Sequence, residues 1–159
     1  MKIQDVMTCP ARSCRPADTL VEAARTMWDN DCGALPVLDD EGRPAGMITD
    51  RDICMSLART NRFPGDIRVR EAMSAHPFLC KRDDEIGAAL NTMAKQQVRR
   101  LPVVDEEGRL VGIVSVNDIA AGATQAGARR ADEVHRLVVQ TLLAITTNQT
   151  RPVTSAPTR

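Results

Sequence analysis

Two short stretches carry residue types suited to a polar ligand: Thr49-Asp50-Arg51-Asp52 and Ser115-Val116-Asn117-Asp118. Each places a hydroxyl three residues before a carboxylate, where a helix is predicted to begin. A helix start leaves backbone N–H groups unpartnered and carries partial positive charge, so it is a ready anion site. A hydroxyl there adds a hydrogen bond to a phosphate oxygen, and a carboxylate one turn later can accept both hydrogens of a ribose diol. The same spacing also reads as a capping box, in which the two side chains satisfy the helix's own orphan donors. Aspartate is shorter than the usual glutamate at that position and is expected to reach back less well. One copy alone favours capping; two copies on matched frameworks favour a ligand. The two roles coexist if the cap forms in the empty state and the contact in the bound one.

That framework is an internal repeat. Shifting the chain by 66 positions (Asp52 to Asp118) lays Val6-Met7-Thr8 on Ala72-Met73-Ser74 and Leu35-Pro36-Val37 on Leu101-Pro102-Val103, without a gap. Asp39-Asp40-Glu41-Gly42-Arg43 falls on Asp105-Glu106-Glu107-Gly108-Arg109, and Gly46-Met47-Ile48-Thr49 on Gly112-Ile113-Val114-Ser115. In each copy a Met-Thr or Met-Ser opening leads to a short strand around Cys14 or Cys80. A helix follows, with Asp18 or Asp84 as the expected N-cap. Its apolar stripe is Leu20, Ala23, Ala24 and Met27, or Ile86, Ala89, Leu90 and Met93, at helical spacing. Two strands come next, joined by an acidic-Gly-Arg hairpin in which Gly42 and Gly108 supply positive φ. A second helix starts near Thr49 or Ser115. A single unit leaves an apolar face open, so the two copies are expected to pack face to face as one α/β pseudo-twofold body of β-α-β-β-α repeats.

The predicted boundaries are a first repeat at 1–58, a linker at 59–68 broken by Phe63-Pro64-Gly65, and a second repeat at 69–121. A C-terminal amphipathic helix at 122–147 and an irregular tail at 148–159 complete the chain. Val134, Leu137, Val138, Thr141, Leu142 and Ile145 form the expected apolar side of that helix, which docks on the module or meets a partner.

Composition narrows the function classes. Lys plus Arg equals Asp plus Glu at 21 each, with no Tyr, two Phe and one Trp. Neither a basic groove nor an aromatic stacking platform for nucleic acid is present. No apolar run has the length of a signal peptide or a bilayer span, so a cytoplasmic protein without membrane contact is expected. The five cysteines lack metal-type spacing and read as free buried thiols in a reducing compartment. Neither His76 nor His135 has sequence-local partners for metal binding or catalysis, so no enzyme and no required cofactor are expected.

The openings, the Leu-Pro-Val hairpin core and the Gly-x-x-Thr/Ser-x-x-Asp ends together resemble the cystathionine β-synthase (CBS) domain, twice in register. The resemblance implies a regulatory module with two clefts for adenosine-containing ligands such as AMP, ADP or ATP. Thr49 and Ser115 would meet phosphate, and Asp52 and Asp118 the ribose. It also implies shared clefts. Ser115 and Asp118 would face Cys32, Gly33 and Ala34, with Thr8 and Pro10. Thr49 and Asp52 would face Val98, Arg99 and Arg100, with Ser74 and His76. On that arrangement the two arginines would give the Asp52 cleft the more highly charged ligand. The family's habit of pairing modules implies a homodimer. The alternative is a structural dimerisation or partner-binding protein with empty clefts and a working C-terminal helix.

Overall fold

A hydroxyl one residue later than expected opens the first helix. In the computed structural model, which describes residues 1–124 and 128–147, helix α1 (Leu20–Asp29) is capped by Thr19, with Glu22 completing the box. Asp18 instead accepts from the Arg15 N–H at 2.7 Å, and Asp84 accepts from the Lys81 N–H at 2.8 Å. Both carboxylates are spent on the turn before the helix, which corrects the expected N-caps. The expected tail at 148–159 lies outside the described residues.

The remaining elements follow the repeat, except that the strand expected around Cys14 is a single bridge to Val37, whereas Cys80 lies in a two-residue strand. Strands β1 (Ala34–Leu38) and β2 (Pro44–Thr49) form a hairpin leading into helix α2 (Asp50–Thr60). The second copy begins with helix α3 (Val69–Ala72) and strands β3 (Ser74–Ala75) and β4 (Cys80–Lys81). Helix α4 (Ile86–Gln96), strands β5 (Arg100–Val104) and β6 (Leu110–Ser115), and helix α5 (Val116–Ala123) follow. Helix α6 (Ala128–Thr147) ends the described chain. Both hairpins turn on glycines of positive φ, Gly42 at 77° and Gly108 at 80°, the backbone region that disfavours a Cβ. Strands β1 and β5 each begin two residues before the expected Pro36 and Pro102.

The copies do not share one core. They exchange their openings. Sheet order is β1-β2-β3 in one half and β4-β5-β6 in the other, so β3 of the second repeat pairs with β2 of the first at Met47↔Ser74. In return Thr8 bridges to Ile113 beside β6. Ile3 N–H donates to Asp84 O at 2.9 Å, and its counterpart Val69 N–H to Asp18 O at 2.8 Å. The apolar residues follow. Ile67 and Val69 are buried in the first repeat's cluster, and Ile3 in the second's. Each half is completed by the other's opening, and the two hairpins also meet, Leu110 N–H donating to Gly42 O at 3.0 Å, so the repeats pack into one module around two apolar clusters.

Helix α6 packs on α4 and α5. Val134, Val138, Thr141 and Ile145 are buried there, but Leu137 and Leu142 are 37% and 36% exposed. The buried stripe is thus narrower than the sequence pattern, because α4 and α5 present only one groove to it.

The cysteines divide. All five are free, with Cys14 and Cys80 buried, Cys32 half-buried, and Cys9 and Cys54 exposed, which corrects the expectation of buried thiols throughout. Burial pushes the Cys14 and Cys80 thiols up to about 12, and the negative charges of Asp18 and Asp84 add to it. Alkylation near neutral pH should therefore modify Cys9 and Cys54 and spare Cys14 and Cys80 until the protein unfolds, as counted by mass spectrometry. The raised folded values also carry a sign. An unfolded thiol releases its proton from about pH 9 while the folded one retains it, so stability falls as pH rises from about 9 to 12.

Candidate functional site

Both hydroxyl–carboxylate pairs close as full capping boxes. Thr49 N–H and Thr49 Oγ1 donate to Asp52 Oδ2 at 2.9 and 2.7 Å, and Asp52 N–H donates back to Thr49 Oγ1 at 3.1 Å. The second copy repeats this at 2.8, 2.7 and 3.1 Å. Aspartate therefore reaches the cap fully, contrary to expectation, because the extended N-cap backbone brings the two groups together. Each box uses only Oδ2, so the outer carboxylate oxygen has no hydrogen bond among the described residues. All four side chains are half-buried. The arrangement fixes a carboxylate at a helix start with one oxygen to spare.

Glycines let the exchanged openings lie against these ends. A Cβ on Gly46 would stand 2.8 Å from both Met73 Sδ and Ser74 O; on Gly112 it would stand 2.9 Å from Met7 Sδ and 3.0 Å from Thr8 O. No side chain fits there without moving the opening. Ser74 is thereby held exposed beside β2, and His76, at φ 55°, donates its N–H to Ala45 O at 3.3 Å. Thr8 lies beside β6, with exposed Pro10 two residues on. Thr8 and Ser74 thus pair with Ile113 and Met47, each two residues before Ser115 or Thr49, whereas His76 lies farther back along β2, at Ala45.

The strand leads are tied differently from the expected arrangement. Ala34 pairs with Thr49, and Asp50 N–H donates to Gly33 O at 3.2 Å, within one repeat. Likewise Arg100 pairs with Ser115, and Val116 N–H donates to Arg99 O at 3.1 Å. Hairpin register enforces this, since each lead is the start of the strand paired to its own motif. Cys32 and Val98 precede these leads, and both are half-buried. Arg99 and Arg100 are thus bonded to the Ser115–Asp118 end rather than the Asp52 end, and neither forms an ion pair among the described residues. Paired residues in a ladder share a sheet face, so Arg100 stands beside Ser115 where the first copy has only Ala34.

Sequence reasoning missed the other side of the Asp52 end. A cleft of about 280 Å³ is lined by Asp52, Met55, Ser56, Arg59, Glu71 and Ala72, among others. The signal was present: Asp52, Met55, Ser56 and Arg59 fall on one face of α2 at helical spacing. The second copy fills the matching space, because Gly122 replaces Ser56 and Val6 sits directly on it. The two ends are therefore unlike: one opens toward Arg59, the other carries Arg100.

The two repeats that carry these helix starts are each matched by one known family. The family model for the CBS domain matches residues 3–59 and again 69–122. The chain belongs to the CBS domain family. It is 37% identical over 118 residues to the CBS domain-containing protein YhcV of Bacillus subtilis, spanning 74% of this chain and 82% of that one. Protein MK0525 of Methanopyrus kandleri is 33% identical over 104 residues, 65% of this chain and only 53% of its own length. Among solved structures, hypoxic response protein I with two coordinated zinc ions superposes at a TM-score of 0.69 with 36% identity, over 76% of this chain and 98% of that one. The described residues of this CBS pair contain no group of three or more His, Cys, Asp or Glu able to hold a metal ion. None of their helices is long and apolar enough to cross a membrane.

Proposed function

We propose that this CBS pair is a regulatory sensor that binds adenosine-containing ligands at its two helix starts, without catalysing a reaction. The observation that carries the reading is the spare oxygen on Asp52 and on Asp118. Each is fixed by a capping box at its helix start, ready to accept from a ribose diol. The solved CBS pair of protein MJ0100, 27% identical over 76% of this chain, is in complex with 5′-methylthioadenosine and S-adenosyl-L-methionine, which supports a ligand of that class. Thr8, Pro10, Ser74 and His76 on the exchanged openings, and Cys32, Gly33, Ala34 and Val98 on the strand leads, form the remaining walls. The ligand would shift the packing of the halves only to the extent that it binds one arrangement better than another. A homodimer is the working assembly.

Melting scans with adenosine, AMP, ADP, ATP, S-adenosylmethionine and NAD test the reading. At least one of these should raise the melting temperature by mass action and remain chemically intact. No shift with any of them would favour the structural reading with empty clefts, and turnover would favour an enzyme. The arginine placement adds a finer expectation. Arg100→Ala should weaken phosphate-bearing ligands by roughly tenfold or more, the loss of one charge-assisted hydrogen bond, and leave adenosine unchanged in calorimetry. Equal weakening of adenosine would show that Arg100 acts on the fold instead.

A further inference from the structure

The cleft on the far side of Asp52 is open because two residues differ from their counterparts in the repeat. In the second copy Val6 packs directly on Gly122 of α5. Gly122 corresponds to Ser56, and Val6 to Ala72. Ala72 is too short to cover α2, so about 280 Å³ stays open between α2 and α3. Its walls are polar, where an empty packing defect would be apolar. Asp52, Ser56 and Arg59 stand one turn apart along α2, with Met55 beside them and Glu71 and Ala72 across from them on α3.

The polar groups are unspent. Arg59 forms no ion pair among the described residues. The Ser56 hydroxyl makes no hydrogen bond there, since Thr60 Oγ1 donates to the Ser56 carbonyl, at 2.9 Å. Glu71 is held in place: Arg62 Nη1 donates to its Oε2 and Arg68 N–H to its Oε1, both at 2.8 Å. Those two donors keep its carboxyl below the usual range, so it is ionised at neutral pH. A basic residue in the last turn of α2 also suits the helix dipole, but that role asks for neither a cleft nor a hydroxyl and a carboxylate around it.

Charge decides what fits. A polyphosphate drawn to Arg59 would meet the carboxylates of Asp52 and Glu71, and a simple cation would meet Arg59. A group bearing both charges on neighbouring atoms satisfies every wall. We propose that this cleft holds an α-amino-acid group. Its carboxylate lies on Arg59 and Ser56, its ammonium toward Glu71, and its carbon chain against Met55 and Ala72. The group belongs to a free amino acid or to the tail of an adenosine-containing ligand whose ribose sits on Asp52. Only the second source rests on the nucleotide reading above. Asp52 and Arg59 lie two turns apart, about 10 Å along the helix axis, a span that a ribose with an extended amino-acid tail covers. The Ser115–Asp118 end, filled by Val6, has no such room.

Two measurements on the full chain test this. Calorimetry compares S-adenosylhomocysteine with 5′-methylthioadenosine, which lacks the amino-acid group, and melting scans survey each standard amino acid at millimolar concentration. Either S-adenosylhomocysteine binds at least about tenfold tighter, or a free amino acid raises the melting temperature. Arg59→Ala should reduce that gain by roughly tenfold, and Glu71→Gln should reduce it as well. The pair Ser56→Gly/Ala72→Val, which copies the filled second repeat, should abolish it, with circular dichroism confirming that each variant folds. Equal binding of the two adenosine compounds, with no response to any amino acid, overturns the proposal and leaves the nucleotide reading standing. A gain that survives Arg59→Ala overturns it too, as does an Arg59→Ala protein that loses ATP binding alone, the mark of a phosphate site. An amino acid that binds where no adenosine compound does would sink the nucleotide reading and keep the cleft. Silence from every probe overturns both.

Discussion

The Asp52→Asn/Asp118→Asn protein is expected to lose the ligand-induced rise in melting temperature while keeping most of its intrinsic stability. Asparagine retains an oxygen that can accept from the Thr49 or Ser115 N–H, so the cap is weakened rather than removed. Its amide group cannot replace the charged oxygen that now stands free. A hydrogen bond to a charged acceptor contributes about 1.5–3 kcal/mol, so each cleft should bind roughly ten- to a hundredfold more weakly. The Asp52→Ala/Asp118→Ala protein adds the loss of both caps, at about 1 kcal/mol each, and should melt lower even without ligand. Calorimetry on the asparagine variant and melting scans on both separate the two contributions. Full ligand stabilisation persisting in the asparagine variant would show that the carboxylates only cap their helices.

Replacing Gly112 with valine is expected to cause the largest loss of stability of any single change at the candidate site. The new Cβ would stand 2.9 Å from Met7 Sδ and 3.0 Å from Thr8 O, and the second of these is backbone that cannot turn aside. The opening of the first repeat must then withdraw from β6, taking Val6 and Met7 off the second core, against which both pack. Overpacking of this kind costs about 1–3 kcal/mol, or several degrees of melting temperature for a domain of this size, at roughly 2–4 °C per kcal/mol. Gly112→Ala meets the same obstruction with fewer atoms and should fall between valine and wild type. Because Thr8 moves with the opening, the Ser115–Asp118 end should bind ligand more weakly as well. Thermal melting and calorimetry on the same samples check both. An unchanged melting temperature for Gly112→Val would show that the opening is free to shift.

Much of the candidate site was legible in the sequence because its decisive signals are local. Thr49 and Asp52 are three residues apart, and so are Ser115 and Asp118, so hydroxyl, carboxylate and helix start are set by one turn of chain. Gly42 and Gly108 mark hairpins by their own backbone demands. The ungapped repeat multiplied each weak signal by two. Local reasoning erred where a side chain had a nearer competitor: Asp18 and Asp84 close the preceding turn, leaving Thr19 to cap α1.

What the sequence by itself determined was the duplicated β-α-β-β-α pattern, the two capped helix starts and their membership of the CBS domain family. Only the tertiary structure decided how the copies meet. It put Ile3 in the second core and Ile67 and Val69 in the first, bonded Arg99 to the start of α5 rather than α2, and seated α6 on one repeat alone. The physical reason is range. Capping and hairpin turns join residues a few positions apart, so residue type and spacing specify them. Exchange of openings joins positions such as Ile3 and Asp84, and either half could in principle accept either opening. That choice is made by the combined fit of apolar side chains and backbone donors, which no short stretch of sequence contains.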